Sequence, residues 1–171
     1  TLFGETSGYT TGTGNGATPL RVSIVPTNRH ADSTLFGTST ATNRTGDLLA
    51  ISEFNSNSKG GIYRYDSDND RWDFEYTFPN NSFGVGMSLD GNRVVSSREG
   101  TDVAGVGVNI YDYIGGSWVF IRNLNFQHQS DDRIGRQVAI SGDGNTISTS
   151  TSNENSDGNS YLQVYRYSQD A

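Results

Sequence analysis

The chain is 171 residues long, 32% hydrophobic, 11% aromatic and 18% charged, with a net charge of −7 and no cysteine. That length fits one domain of ordinary size, and the lack of cysteine excludes disulfides, thiolate nucleophiles and thiolate metal sites. The acidic balance argues against a nucleic-acid partner, whose phosphates are bound by clustered Lys and Arg, and no run of about 18 apolar residues exists to cross a membrane as a helix.

Thr1 opens the chain without a basic-plus-apolar leader, which reads as a mature or excised product. Residues 1–19 begin with Thr1-Leu-Phe-Gly4, echoed at Thr34 to Gly37, and read as an N-terminal arm or a degenerate remnant of the unit that follows. Leu20 to His30 stands at the same offset before Phe36 that Trp118 to His128 occupies before Ile134. It reads as a stray strand, residues 20–30, able to close an incomplete unit elsewhere in the chain.

From Phe36 onward the sequence repeats. Three apolar-Gly pairs, Phe36-Gly37, Phe83-Gly84 and Ile134-Gly135, are spaced by 47 and 51 residues. Each leads through alternating small and apolar residues to a tight turn: Asn43 to Asp47, Asp90-Gly91-Asn92 and Asp143-Gly144-Asn145. These are residues that accept the positive φ of hairpin turns. Outgoing strands are expected at Leu48 to Ser52, Arg93 to Ser97 and Thr146 to Ser150.

A third strand follows in each unit and ends on one pattern: Tyr63-Arg-Tyr65, Tyr111-Asp-Tyr113 and Tyr165-Arg-Tyr167. With a period of two, both tyrosines of each pair share a face, which points to core packing. Trp72 to Phe78 and Trp118 to Leu124 open as fourth strands, while the third unit reaches Ala171 before any such strand. No window has helical periodicity, and four short strands per unit of about 50 residues is the pattern of a β-propeller blade.

This ordered set resembles the FG-GAP-like repeats: Phe-Gly, a strand, Ser-x-Asp-Gly, a second strand, Val-Tyr-x-Tyr and a Gly-x-Trp strand. Ile134 to Asn145 is the segment nearest that pattern. The resemblance implies an all-β propeller of four-stranded antiparallel blades, as in integrin α-subunits and many extracellular and viral surface proteins that bind or scaffold. On it the chain divides into the arm at 1–19 and repeats over 20–171, with a closing strand at 20–30, blades at 36–80 and 83–125, and an incomplete blade at 134–171. Three blades are fewer than the usual four to eight or so. The chain is therefore expected to be one part of something larger, a piece of a longer propeller or one of several associating copies. The calcium-binding members carry several alternating carboxylates between their first two strands, where this chain has a single Asp in each turn.

Two acidic stretches invite a test for calcium, which wants several converging oxygens. Asp66, Asp68, Asp70 and Asp73 alternate through the third-to-fourth-strand hairpin, with Arg71 where a calcium loop has glycine. Asn153, Asn155 and Asp157 precede Gly158, but Val164 stands where a bidentate Glu is needed. Asn43-Arg-Thr45 and Asn80-Asn-Ser82 are glycosylation acceptors, both in turns expected to be exposed. His30 and His128 share a repeat position and read as locally bonded relics rather than a ligand pair. Gly12-Thr-Gly14-Asn-Gly16, Gly84-Val-Gly86 and Gly105-Val-Gly107 complete no phosphate-loop pattern and read as turns and strand bulges.

No hydrolase or zinc-protease motif is present. The expected function is a non-catalytic β-propeller module of an extracellular, cell-surface or virion assembly, mediating protein contacts, self-association or adhesion without a cofactor. Arg64, Arg166 and the Asp66 to Asp73 loop are the candidate contacts. The alternative is lectin-like carbohydrate binding between blades, and an enzyme is disfavoured.

Overall fold

The computed structural model describes residues 36–55, 58–79, 82–98, 107–124, 132–153 and 162–167. The expected closing strand at 20–30, the arm, His30, His128, Asn80, Asn155 and Asp157 lie outside them. The described residues form only strands and turns, arranged as three antiparallel sheets.

Blade 1 is β1 (Phe36–Thr42), β2 (Leu48–Asn55), β3 (Ser58–Asp66) and β4 (Arg71–Thr77), paired in that order. Blade 2 is β5 (Val85–Met87), β6 (Arg93–Arg98), β7 (Gly107–Ile114) and β8 (Ser117–Leu124). Blade 3 holds β9 (Asp132–Ile140), β10 (Thr146–Asn153) and β11 (Leu162–Arg166), with β10 in the middle. These are propeller-type blades. Every expected second and fourth strand starts within one residue of its observed counterpart. The turns work as their residues predict: Gly46, Gly91 and Gly144 take φ of +75°, +73° and +72°, a conformation that only a residue without Cβ adopts freely.

The blades stack face to face in chain order. Leu48, Ala50, Ile62 and Phe78 of blade 1 pack on Val85, Met87, Val94 and Tyr111 of blade 2. On the other face of blade 2, Val95, Val108 and Ile110 pack against Ile147, with Val138, Ile140, Tyr165 and Tyr167 of blade 3 beside them. Alternation along the strand explains this: Val108 and Ile110 project to one side of β7, Tyr111 and Tyr113 to the other. Tyr111 with Tyr113 and Tyr165 with Tyr167 therefore face the preceding blade, a direction that periodicity alone leaves open.

Gly84 and Gly86 correct an expectation. Gly86 pairs with Val95 in unbroken register, so it forms neither a turn nor a bulge. A Cβ on Gly86 would lie 3.1 Å from Val95 Cγ2 and 3.2 Å from Ile140 Cγ2, and one on Gly84 would lie 2.8 Å from Ser97 Oγ and 3.1 Å from Val138 N. These glycines let β9 of blade 3 approach blade 2 closely, because a packed interior has no spare methyl-sized gap.

Candidate functional site

The hairpin turns joining first to second and third to fourth strands gather at one end of the blades, and most described carboxylates lie there. The first of these turns is built by one side chain. Asn43 is buried; its Oδ1 accepts from Gly46 N at 3.0 Å and Leu48 N at 3.1 Å, while Nδ2 donates to Thr45 Oγ1 at 3.0 Å and Asp47 Oδ1 at 2.8 Å. The turn is exposed at Arg44, Thr45 and Gly46 as expected, but Asn43 itself is buried. The amide nitrogen that a glycan would need is committed to holding the turn.

In the other two turns a serine and an aspartate share that work. Asp90 accepts from Ser88 Oγ at 2.6 Å and Asn92 N at 3.0 Å, and Asp143 accepts from Ser141 Oγ and from Asn145 N at 3.0 Å. The serine hydroxyl in each case holds the carboxyl below the usual carboxylate range, helped by the backbone amide. Asp47 is lowered likewise, first by the Thr45 hydroxyl and then by the Asn43 amide.

Neighbouring turns are joined through their backbones. Arg44 N donates to Leu89 O and Leu89 N donates to Gly142 O, both at 2.9 Å, so one rung links blades 1 and 2 and the next links blades 2 and 3. Arginines reinforce each step. Arg93 donates from Nε and Nη2 to the two oxygens of Asp112 at 2.6 and 2.8 Å, and from Nη1 to Gly144 O of blade 3 at 3.0 Å. Its guanidinium carbon lies 4.6 Å from the centre of the Tyr167 ring. Arg64 is held by Glu75, lies 5.3 Å from the Tyr113 ring centre of blade 2, and shares Glu75 with Trp118 Nε1, which donates to it at 3.0 Å. The carboxylates raise both guanidinium pKa values, so both arginines stay charged.

The two clamps are one device with the strands exchanged. Leu48 pairs with Arg64 in blade 1, and Arg93 with Asp112 in blade 2, so the cation moves from the third strand to the second while still stacking on the next blade's second tyrosine. Thr146 pairs with Arg166 at the corresponding place in blade 3, where Arg166 is exposed.

Two clefts open on this rim. One of about 340 Å³ lies between blades 2 and 3, bordered by Asp90, Asn92, Arg93, Tyr113, Asp143 and Asn145. The other, of about 380 Å³, runs along blade 1 by Arg64, Tyr65, Asp66, Ser67, Asp73 and Glu75.

The expected calcium ligands of the Asp66 to Asp73 hairpin do not converge. Asp66 caps its own turn, accepting from Asp68 N at 3.0 Å and Asn69 N at 3.2 Å. Asp70 takes φ of +50° and accepts from the Tyr65 hydroxyl, while Asp73 pairs with Arg71 at 2.8 Å. Arg71 and the turn donors thus use the oxygens that a cation would need. Among the described residues no three acidic or imidazole groups gather into a metal-holding set. Asn153 ends β10, away from this hairpin.

The largest feature that sequence reading missed is a surface. In blade 3 the residues facing away from blade 2 are open: Leu162 is 67% and Val164 58% exposed, with Ala139 and Arg166 exposed beside them. The residues at the Val164 position in blades 1 and 2, Ile62 and Ile110, are both 0% exposed. The signal was present in the alternation of β11, but alternation does not say which face has a neighbour.

No family model matches the chain, and no curated protein matches it. Solved structures do. A complex of KlAtg21 with the coiled-coil of AgAtg16 aligns with a TM-score of 0.51 at 9% identity, over 78% of this chain and 43% of that one. TolB from Acinetobacter baumannii aligns at 0.41 and 16% identity over 77% of this chain and 32% of that one. A TolB-type structure from Agrobacterium tumefaciens aligns at 0.46 and 18% identity over 89% and 52%. The likeness is one of fold, and the chain spans between about a third and a half of the length of those structures.

Proposed function

We propose that this chain is a non-catalytic β-propeller module, built on FG-GAP-like repeats, that acts through protein contacts in an extracellular, cell-surface or virion assembly. The observation that carries the reading is the open face of blade 3: a sheet surface with Leu162 and Val164 exposed, at positions where the other two blades bury their residues. Burying an aliphatic side chain of this size is worth about 1.5–3 kcal/mol, so a protein that covers this face gains affinity from it. Among the described residues β11 is an outer strand of its sheet, the kind of edge that strand addition uses. KlAtg21, to which the fold is similar, is seen in complex with a coiled coil, so the fold serves as a protein-binding platform there.

Hydrogen exchange tests the reading directly. Amides of β9 and β11 are expected to gain protection when the chain self-associates or meets its partner, and the reading fails if they stay equally labile in every condition. Turnover of simple ester, glycoside or phosphate substrates would overturn the non-catalytic part.

A second reading is lectin-like binding at the cleft between blades 2 and 3, favoured by its Asp, Asn, Arg and Tyr border. A glycan array with no hits across sugar classes removes it.

A further inference from the structure

In blades 1 and 2 the second tyrosine of Tyr-x-Tyr stands opposite a tryptophan of the fourth strand. Tyr65 pairs with Trp72 and Tyr113 with Trp118, their rings 5.5 and 5.3 Å apart. Cross-strand partners share a face, so Trp118 points at blade 1, where it is buried and its Nε1 donates to Glu75 at 3.0 Å. Tyr113 therefore has two neighbours: Arg64 from the preceding blade and the tryptophan of its own blade.

Tyr167 has the first of these neighbours and lacks the second. The Arg93 guanidinium of blade 2 lies 4.6 Å from its ring centre, as that of Arg64 lies 5.3 Å from Tyr113. Among the described residues no aromatic ring packs on Tyr167 and β11 is the outer strand of its sheet, while both tryptophans of the chain are engaged in blades 1 and 2. The wall facing this place is open. Val119, opposite Asp112 on the face of β8 turned to blade 3, is 42% exposed, and Ile121 at the bulge of that strand is 36% exposed.

Register tells what kind of group fits. β4 and β8 each carry one extra residue at the same point: Glu75 between the partners of Tyr63 and Ile62, and Ile121 between the partners of Tyr111 and Ile110. Glu75 is the acceptor for the Trp118 indole, and Ile121, which stands at that position toward blade 3, accepts no hydrogen bond.

We propose that this notch between β8 and β11 receives an extended segment of a separate polypeptide, antiparallel to β11, that sets a large apolar side chain against Tyr167, with phenylalanine preferred to tryptophan. The inference rests on the reading that blade 3 makes a protein contact, and it names the chemistry of the partner. Continuity with the junction of blades 1 and 2 is the argument: the same tyrosine under the same kind of arginine recurs, and one side chain is missing from the set. A tryptophan there buries an N–H without an acceptor, and a phenylalanine does not. The next residue of the segment on that face falls at the position of Phe74 and Phe120, so the segment carries large apolar residues at i and i+2.

Fluorescence anisotropy of the full chain with fluorescein-labelled peptides tests this. The peptides copy residues 116–124, unchanged or with Trp118→Phe or Trp118→Ala. The phenylalanine peptide is expected to bind about tenfold or more tighter than the alanine one, and about fivefold or more tighter than the tryptophan one. Ile121→Glu in the full chain supplies the acceptor that Glu75 gives Trp118 and is expected to reverse the order of phenylalanine and tryptophan. Tyr167→Ala is expected to bring all three peptides to the alanine value; if that variant does not fold, Ile121→Glu, at a partly exposed position, decides the matter. Equal binding of the three peptides, binding of none, or an order that Ile121→Glu leaves unchanged overturns the proposal. If β9 and β11 still gain protection from self-association or from another protein, such a failure leaves the protein-contact reading standing, whereas lability in every condition sinks both.

Discussion

Blades 2 and 3 are built from the same strand pattern and differ in surroundings. The β7 strand of blade 2 is buried on both faces from Gly107 to Tyr111, while β11 of blade 3 alternates between half-buried and exposed. Tyr111 and Tyr165 both face the preceding blade, yet Tyr111 is fully buried and its hydroxyl pKa is pushed well above the ordinary range by burial, while Tyr165 is only half-buried and less raised. The difference teaches that a blade's stability here belongs to its junctions. A four-stranded meander supplies the shape, and the neighbour on each face supplies the burial.

The sharpest way to break the comparison is to truncate equivalent aliphatic residues. Ile110→Ala opens a cavity between blades 2 and 3 and is expected to cost about 2–5 kcal/mol, whereas Val164→Ala in the dilute chain should cost no more than about 0.5 kcal/mol. Urea unfolding of both variants checks this, and equal losses would show that the forward face of blade 3 is covered within the single chain. Gly86→Val comes next: its side chain enters the space held by Val95 and Ile140, and roughly 1–3 kcal/mol of overpacking is expected by the same measurement.

Arg93→Ala removes a carboxylate pair, a backbone hydrogen bond and a stacked ring from a side chain only 21% exposed, for an expected loss of roughly 1–3 kcal/mol. Arg166→Ala should leave the melting temperature of the dilute chain unchanged and weaken only its association. The smallest effect is on pH dependence. Asp90 and Asp143 have folded pKa values below the ordinary 3.8, so their contribution is complete above that value and is lost as pH falls through the lowered ones. Thermal melts into strongly acid solution should therefore show stability falling in that window. Asp143→Ala should flatten the fall, and an unchanged profile would mean that the turn carboxylates do not matter.

Much of the blade was legible beforehand because its signals are local. Glycine at positive φ, Asp and Asn at the turns, and period-two alternation mark where strands begin, end and reverse. The candidate site was less so. The Asp66 to Asp73 run has the composition of a cation loop, but Arg71 and the turn's own amides take its oxygens, which the spacing of carboxylates cannot reveal. Asn43 has a glycosylation triplet, yet its side chain is buried and makes four hydrogen bonds within the turn. Arg64 was singled out as a contact to a partner, whereas the structure places it in a junction inside the chain, over the Tyr113 ring of blade 2.

By itself, then, the sequence determined the repeating unit: its strands, its turns and which residues share a face, because those depend on backbone conformation a few residues long. Only the tertiary structure decided which face of each blade lies inside, why Gly84 and Gly86 must stay small, and which arginine stacks on which tyrosine. Those are contacts between residues some 50 positions apart, such as Arg93 with Gly144. Their partners are fixed by how one sheet lies on the next, and a period of two reads the same whether a face meets another blade, as at Ile110, or water, as at Val164.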